Sequence, residues 1–201
     1  MGCSAKMAPS REFPKAMPRF NEAKTTQAAA AFLKLNRGRL NYMVLIKLLY
    51  MLDREALDRW GRTITNDEYF SMKLGPVLSG VHDLLTEQQA PSEQGDWKRF
   101  ISAPREYTVD LLSDPGTGKL SEAEEDLIRE VFDRFGHFDN PFDLVDFLHK
   151  ELNEWTEVNQ GRVALPISQI LKALNKTPEE IEEIEAEREA LSLAHSLMSR
   201  A

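Results

Sequence analysis

The sequence predicts a mainly α-helical, compact single-domain bundle that also contains a small β-hairpin or a few short strands. Its 201 residues are 42% hydrophobic and 29% charged, a balance typical of one globular domain. Several segments repeat apolar residues at the helical period, and single glycines and prolines separate these segments. Few stretches alternate apolar and polar residues as a strand does. Helices should therefore build the core.

The first half of the chain predicts two long helices. The segment Glu22–Leu35 is rich in strong helix formers, and Thr25 or Thr26 is expected to cap or begin it. The second helix begins near Asn41, a good cap residue, and runs to about Trp60. Its apolar residues form a stripe at the helical period, so this helix is expected to pack in the core.

A chain break follows a loosely alternating segment in the middle of the sequence. Residues 68–74 are expected to form a short extended piece or a helical turn. Gly75 and Pro76 then break the chain. Pro76 is well placed for the first turn of a new helix that continues to Leu85.

A second segment with strand-like alternation follows a polar loop at 87–95. Residues 97–101 and 107–112 are expected to form a small hairpin. The reason is that Val109 and Leu111 alternate with polar neighbours, which is the period of a strand.

The second half of the chain predicts four more helices. Ser121 and Glu124 match a capping box, which fixes the start of the first of them. Glycines and prolines mark the boundaries of the other predicted helices. The predicted helices cover about 122–135, 141–153, 166–175 and 178 onward.

Composition divides the chain into three regions. Residues 1–21 are predicted to be a flexible arm with three prolines, residues 22–176 the helical domain, and residues 177–201 an acidic C-terminal helix. The first half of that helix has dense acid and few apolar positions. We therefore expect the end of the chain to pack loosely or to extend outward.

Cysteine use and hydropathy predict a cytoplasmic protein with no membrane partner. Cys3 is the one cysteine, so the chain cannot form an internal disulfide, as is usual in a reducing compartment. No apolar run approaches the roughly 20 residues needed to span a bilayer. The N-terminal segment also lacks the apolar core of a signal peptide.

The sequence carries no recognisable catalytic or cofactor motif. Glycines occur singly, so phosphate-binding loops are absent, and the four histidines are too scattered for a metal site. Cys3 has no activating neighbours, and no serine nucleophile motif is present. We therefore expect no cofactor, no metal and no enzymatic activity, and we expect the protein to act by binding another protein.

The charge balance bears on the choice of partner. The formal net charge is −8, whereas nucleic-acid binders usually present a basic face. The first two helices, joined by a connection that carries Arg37 and Arg39, leave a helix-turn-helix interpretation open. The second helix is strongly apolar, however, which is more typical of a core helix than of a recognition helix.

Charged and aromatic residues concentrate around the break at Gly75 and Pro76. This composition is typical of anchor sites in protein interfaces, although core packing also explains the aromatics. The mid-helix charges are expected on the solvated side, away from the apolar stripe. Two later residues lie where a helix gives way to a loop. The predicted partner-binding residues are Asp53, Arg54, Trp60, Arg62, Tyr69, Lys73, Gly75, Pro76, His149 and Trp155.

Several motifs follow one another in a fixed order. Residues 47–53 read Lys-Leu-Leu-Tyr followed by an aspartate, residues 60–65 contain Trp-Gly and Ile-Thr, and residues 73–77 place a lysine before Gly-Pro-Val. Residues 120–137 then contain Leu-Ser-x-x-Glu and Phe-Gly-His, and residues 143–155 contain Asp-Leu-Val, a histidine and a tryptophan. Over roughly residues 23–175 the chain resembles the Panacea domain family, the SocA-like or phage-associated antitoxins.

The resemblance implies an antitoxin of a type II toxin–antitoxin system that binds and neutralises a cognate protein toxin by direct contact. Two alternatives stay open. One is a proteolytic adaptor that delivers a toxin to a ClpXP-type protease, and the other is a DNA-binding autoregulator. Oligomerisation is open as well. A basic toxin would gain association rate from the acidity of the chain.

Overall fold

The computed structural model describes residues 20–86, 96–138 and 140–198. Almost all of the predicted arm and the whole polar loop at 87–95 lie outside these residues. The described part contains eight helices and five short strands, which confirms the predicted mainly α-helical fold class. In chain order they are α1 Glu22–Leu35, β1 Arg39–Asn41, α2 Tyr42–Trp60, β2 Tyr69–Met72, β3 Gly75–Leu78, α3 Ser79–Thr86, α4 Asp96–Phe100, β4 Thr108–Asp110, α5 Glu122–Phe135, α6 Pro141–Glu151, β5 Val163–Ala164, α7 Ile167–Ala173 and α8 Pro178–Met198.

Helix α2 runs through the centre of the core. Twelve of its 19 residues are buried, and they surround the helix rather than following one stripe. Helices α1, α5, α6 and α7 and strand β3 all pack against it. A helix that is covered on every side is a core element. This placement leaves α2 unsuited to the role of a recognition helix in a DNA groove.

The start of α1 differs from the sequence prediction. Asn21 caps the helix, because its side chain accepts a hydrogen bond from the backbone of the first turn. Thr25 and Thr26 lie buried within the helix, and their hydroxyls donate to backbone carbonyls one turn earlier. The predicted caps of α2 and α5 are confirmed, at Asn41 and Ser121 respectively.

The strands form two small antiparallel sheets. Strand β1 pairs with β4, and the second sheet has the order β3-β2-β5. The β2–β3 hairpin closes through a two-residue turn at Lys73 and Leu74. The predicted hairpin of 97–101 and 107–112 is confirmed where Ile101 forms an antiparallel bridge with Leu111, and it is wrong in the rest of its first half. Residues 96–100 are helical, and β4 finds its partner in β1, far earlier in the chain.

The prediction that Pro76 begins a helix is also wrong. Pro76 lies in β3 opposite Ser71 of β2, and α3 begins at Ser79. Strand β3 is at the edge of its sheet, where the missing N–H of a proline needs no partner. A Gly-Pro pair suits either a helix start or an edge strand, so only the pairing with β2 decides between them.

Helix α8 is attached along its first half and exposed along its second. Ile181 belongs to the core, and Ile184 lies against Gly61 at the end of α2. Arg188 donates a hydrogen bond of 3.2 Å to the hydroxyl of Thr63. More than half of each large apolar side chain is exposed further along; these are Leu191, Leu193, Leu197 and Met198. Only this second half fits the expected loose packing.

Candidate functional site

A buried carboxylate in the middle of α2 organises the loop that follows this helix. Asp53 is fully buried and accepts four hydrogen bonds. The backbone N–H groups of Ile64 and Thr65 donate to Oδ1 at 2.8 and 3.0 Å. The hydroxyls of Thr65 and Tyr69 donate to Oδ2, that of Tyr69 at 2.7 Å. Burial raises the pKa of Asp53, and the hydrogen bonds oppose this rise.

The expectation that Asp53 lies on a solvated face is wrong. The loop after α2 folds back over that face of the helix and supplies the donors, so the side chain is enclosed rather than exposed. Tyr69, a second predicted partner contact, is buried with it. In this structure neither side chain offers a partner any appreciable surface. Both act instead by holding the fold in place.

A second carboxylate extends this network to α3. The backbone N–H of Asp67 donates to the hydroxyl of Thr65 at 3.1 Å. The Asp67 carboxylate in turn accepts from the backbone N–H groups of Gly80 and Val81, at 2.9 and 3.1 Å. It thereby satisfies donors at the start of α3. Burial raises the pKa of Asp67 to about 6.

Lys47 is a buried lysine on α2, beneath the β2–β3 hairpin. Its Nζ atom donates a 2.8 Å hydrogen bond to the carbonyl of Pro76. Burial lowers the pKa of Lys47 to about 7. Gly75 makes room for the ammonium group, because a Cβ atom there would lie 3.1 Å from Nζ. The φ of Gly75 is +93°, so a larger residue would be both crowded and strained.

Two rings stack beside the turn of the hairpin. His149 of α6 and Trp155 lie parallel, with ring centroids 3.7 Å apart. Trp155 Nε1 donates to the carbonyl of Met72 at 3.0 Å, which fastens the rings to β2. Within the described chain, the buried His149 Nε2 has no hydrogen-bond partner. Burial and the nearby charge of Lys47 lower the pKa of His149, which favours the neutral ring.

A buried ion pair anchors the segment that carries Trp155. The Glu154 side chain accepts from Arg54 Nε at 2.7 Å and from the Tyr50 hydroxyl at 2.8 Å. Gln169 of α7 donates to the Glu154 carbonyl at 2.8 Å. Arg54 is thus held in an internal pair, and its side chain is only 14% exposed.

The exposed part of this region is the hairpin tip, defined here as Met72, Lys73, Leu74, His149 and Trp155. Lys73 and Leu74 are exposed, and 39% of Leu74 is accessible although it is a large apolar residue. The two rings are half-buried. The tip thus presents an apolar side chain and a cation beside an aromatic stack on a firmly held hairpin.

The structure distributes the predicted partner-binding residues over several environments. Trp60 is half-buried and Arg62 exposed, at the C-terminal end of α2, about 20 Å along the helix from Lys47. The buried members are Asp53, Tyr69, Gly75 and Pro76; Arg54 lies in the internal ion pair; Lys73, His149 and Trp155 belong to the hairpin tip.

Sequence reasoning missed Lys47 and Glu154 as members of the site. Lys47 stands in an otherwise apolar run, and this polar residue within a core pattern was the available signal. No sequence signal marked Glu154, because its partners Tyr50 and Arg54 lie about 100 residues earlier in the chain.

A family model described as antitoxin SocA-like, Panacea domain, matches residues 45–156, more than half of the chain. The chain belongs to this SocA-like antitoxin family. No curated protein and no solved structure matches the chain. All ten predicted partner-binding residues lie in the Panacea domain match, as do Lys47 and Glu154. The match leaves out α1, α7 and α8.

None of the described helices is long and apolar enough to cross a membrane. Histidine, cysteine, aspartate and glutamate side chains in the described ranges form no group of three that would hold a metal ion.

Asp53→Ala is expected to lower the free energy of unfolding by about 3 kcal/mol or more, because it leaves several buried donors without an acceptor. Urea denaturation followed by circular dichroism measures the change. The matched control is Asp133→Ala, which removes an exposed carboxylate from α5 and should change stability by less than about 0.5 kcal/mol. Similar losses in the two variants would contradict the role of Asp53.

Lys47 is expected to make stability depend on pH above neutrality. Its pKa is about 7 in the folded state and 10.5 when unperturbed, so between these values the unfolded chain binds more protons. Stability should therefore rise with pH over this window, by up to about 1.4 kcal/mol per pH unit from this group. Denaturation of wild type and Lys47→Met at pH 7, 8 and 9 tests this.

The Lys47→Met curve should be flatter than that of the wild type. The unpaired Pro76 carbonyl lowers stability equally at each pH and does not alter the slope. Lys98→Met, at an exposed position on α4, is the control and should keep the wild-type slope. Parallel curves for Lys47→Met and wild type would refute the coupling.

Proposed function

We propose that this protein is the antitoxin of a type II toxin–antitoxin system and that it neutralises a cognate protein toxin by direct binding rather than by catalysis. The observation that carries the proposal is the family match over residues 45–156. The net charge of −8 favours a basic toxin, since opposite charges raise the rate of association.

The hairpin tip is the proposed centre of the toxin contact. It offers Leu74 and the half-buried Trp155 as apolar anchors, with Lys73 as a charged neighbour. Aromatic and apolar anchors beside a charge are typical of residues that dominate binding energy. A hydrogen bond from the Trp155 indole to β2 and one from Lys47 to β3 hold the tip in place. A surface that is already ordered loses less entropy on binding.

Co-expression with the product of the adjacent gene tests the proposal. The wild-type chain should restore the growth of cells that express this product, and Lys73→Glu combined with Leu74→Asp should abolish the rescue. Removing these contacts should weaken binding of the purified proteins at least about tenfold. Isothermal titration calorimetry measures this change.

Leu112→Asp is the matched control, because Leu112 is an exposed leucine that follows β4 in the other sheet. It should leave both rescue and affinity at wild-type levels. Melting temperatures of all variants check that the fold is intact. Full rescue by the tip variant would rule out this surface, and an adjacent product that does not impair growth would contradict the antitoxin function.

A proteolytic adaptor is a second candidate, which the exposed second half of α8 favours. More than half of each of its large apolar residues is exposed, whereas such residues are usually buried in a helix that serves only the fold. This exposed end of α8 would dock to a ClpXP-type protease while the Panacea domain holds the toxin.

The triple variant Leu191→Ser, Leu193→Ser and Leu197→Ser separates the two candidates. Under the adaptor hypothesis it should still bind the toxin but should no longer promote toxin degradation by purified ClpXP. Gel electrophoresis of the toxin over time gives the rate. The adaptor hypothesis fails if the wild-type chain does not accelerate degradation, or if the triple variant accelerates it equally.

A further inference from the structure

A cleft of about 350 Å³ lies at the C-terminal end of α2, far from the hairpin tip. It is formed where the first turn of α1, the loop after α2 and the start of α5 meet. We call it the basic cleft. The polar and charged residues that line it are Lys24, Arg62, Thr63, Lys119, Ser121 and Glu124.

The cleft holds an excess of positive charge. Its one carboxylate, Glu124, is paired with Lys24 at 2.7 Å and also accepts the backbone N–H of Ser121 at 2.9 Å. Arg62 and Lys119 are exposed, and their side chains make no ion pair or hydrogen bond with the described residues. Two positive charges therefore remain uncompensated in a chain whose net charge is −8.

The backbone on both sides of the cleft is fixed. The N–H of Lys119 donates to the Gln27 side chain of α1 at 2.8 Å. Arg62 precedes the buried Thr63, whose hydroxyl accepts a hydrogen bond from Arg188 of α8. The fold therefore holds the backbone that carries both cations.

The side chains of Arg62 and Lys119 carry the excess charge of the cleft, and one backbone donor at the N-terminus of α5 is already bonded. The backbone N–H of Glu124 is already occupied by the Ser121 hydroxyl, at 3.3 Å, as part of the capping box. An anion in the cleft would meet the guanidinium of Arg62 and the ammonium of Lys119. A guanidinium donates two parallel hydrogen bonds to one carboxylate, and an ammonium group pairs with a second as a point charge.

We propose that the basic cleft is a docking site for an acidic segment of a partner protein, with Arg62 and Lys119 each binding a carboxylate side chain. The volume of the cleft suits a few side chains, near the lower end of the range for small-ligand sites. Nucleic acid is a poorer occupant, because the cleft offers only a few cations, whereas nucleic-acid binders usually present an extended basic face. The site is separate from the hairpin tip, so either proposal can fail without the other.

The test is a titration of the full ¹⁵N-labelled chain with a blocked hexapeptide of alternating aspartate and glutamate, at constant ionic strength. Amide shifts should cluster at residues 61–63 and 118–121. Arg62→Gln combined with Lys119→Gln should weaken binding about tenfold or more, since it removes two charge-assisted contacts. The matched control removes two other exposed positive charges, through Lys98→Gln and Lys172→Gln, and should bind as wild type does.

Four outcomes would overturn the proposal. The first is the absence of peptide-induced shifts in these two segments. The second is an equal loss of affinity in the control variant, which would indicate general charge screening. The third is binding of inorganic phosphate as tight as that of the peptide, which would make the cleft a site for an adventitious ion only. The fourth is tighter binding of a single-stranded oligonucleotide. Melting temperatures verify that each variant is folded, and Arg62→Gln alone replaces the double variant if that one unfolds.

Discussion

Burying a carboxylate is unfavourable by several kcal/mol unless hydrogen bonds replace the lost water, and the Asp53 side chain meets this requirement with donors from a single stretch of chain. These bonds fix the loop after α2 and the first residue of β2. The Thr65 hydroxyl also accepts a hydrogen bond from the backbone of Asp67, and the Asp67 carboxylate in turn holds the start of α3. The hairpin therefore stands between two segments whose positions both depend on Asp53.

A second layer of contacts holds the hairpin against α2 and α6. Lys47 bonds to the carbonyl of Pro76, and Trp155 bonds to the carbonyl of Met72. The Glu154 ion pair places Trp155 by tying its segment to α2. Most polar groups described in this region thus form internal hydrogen bonds or ion pairs. The surface that they leave for a partner is small. This explains why, of the ten predicted partner-binding residues, only Lys73, His149 and Trp155 belong to the hairpin tip.

The candidate site was recognisable from the sequence, but the roles of its residues were not. The aspartate at 53 and the Gly75-Pro76 break were singled out, and both are buried. A helical period states which residues share a face of α2, but it does not state what covers the opposite face. The loop at 61–68 covers it here, and this reverses the expected exposure of Asp53. The role of Lys47 was not predicted for a related reason: the carbonyl that it bonds belongs to β3, outside the helix whose period was analysed.

Local signals in the sequence determined most of the helices, because periodicity, caps and glycine stops act within a few residues of one another. The starts of α2 and α5 and the end of α2 at Gly61 are of this kind. Ordered motifs also determined the family, which the match over 45–156 shows. The pairing of β1 with β4 was decided by the tertiary structure, since the two strands lie far apart in the chain. Pro76 pairs with the nearby Ser71, but the Gly-Pro pair by itself did not distinguish this edge strand from a helix start. Burial was also decided by the tertiary structure, because whether a charge meets solvent or a hydrogen-bond donor depends on chain segments distant in sequence.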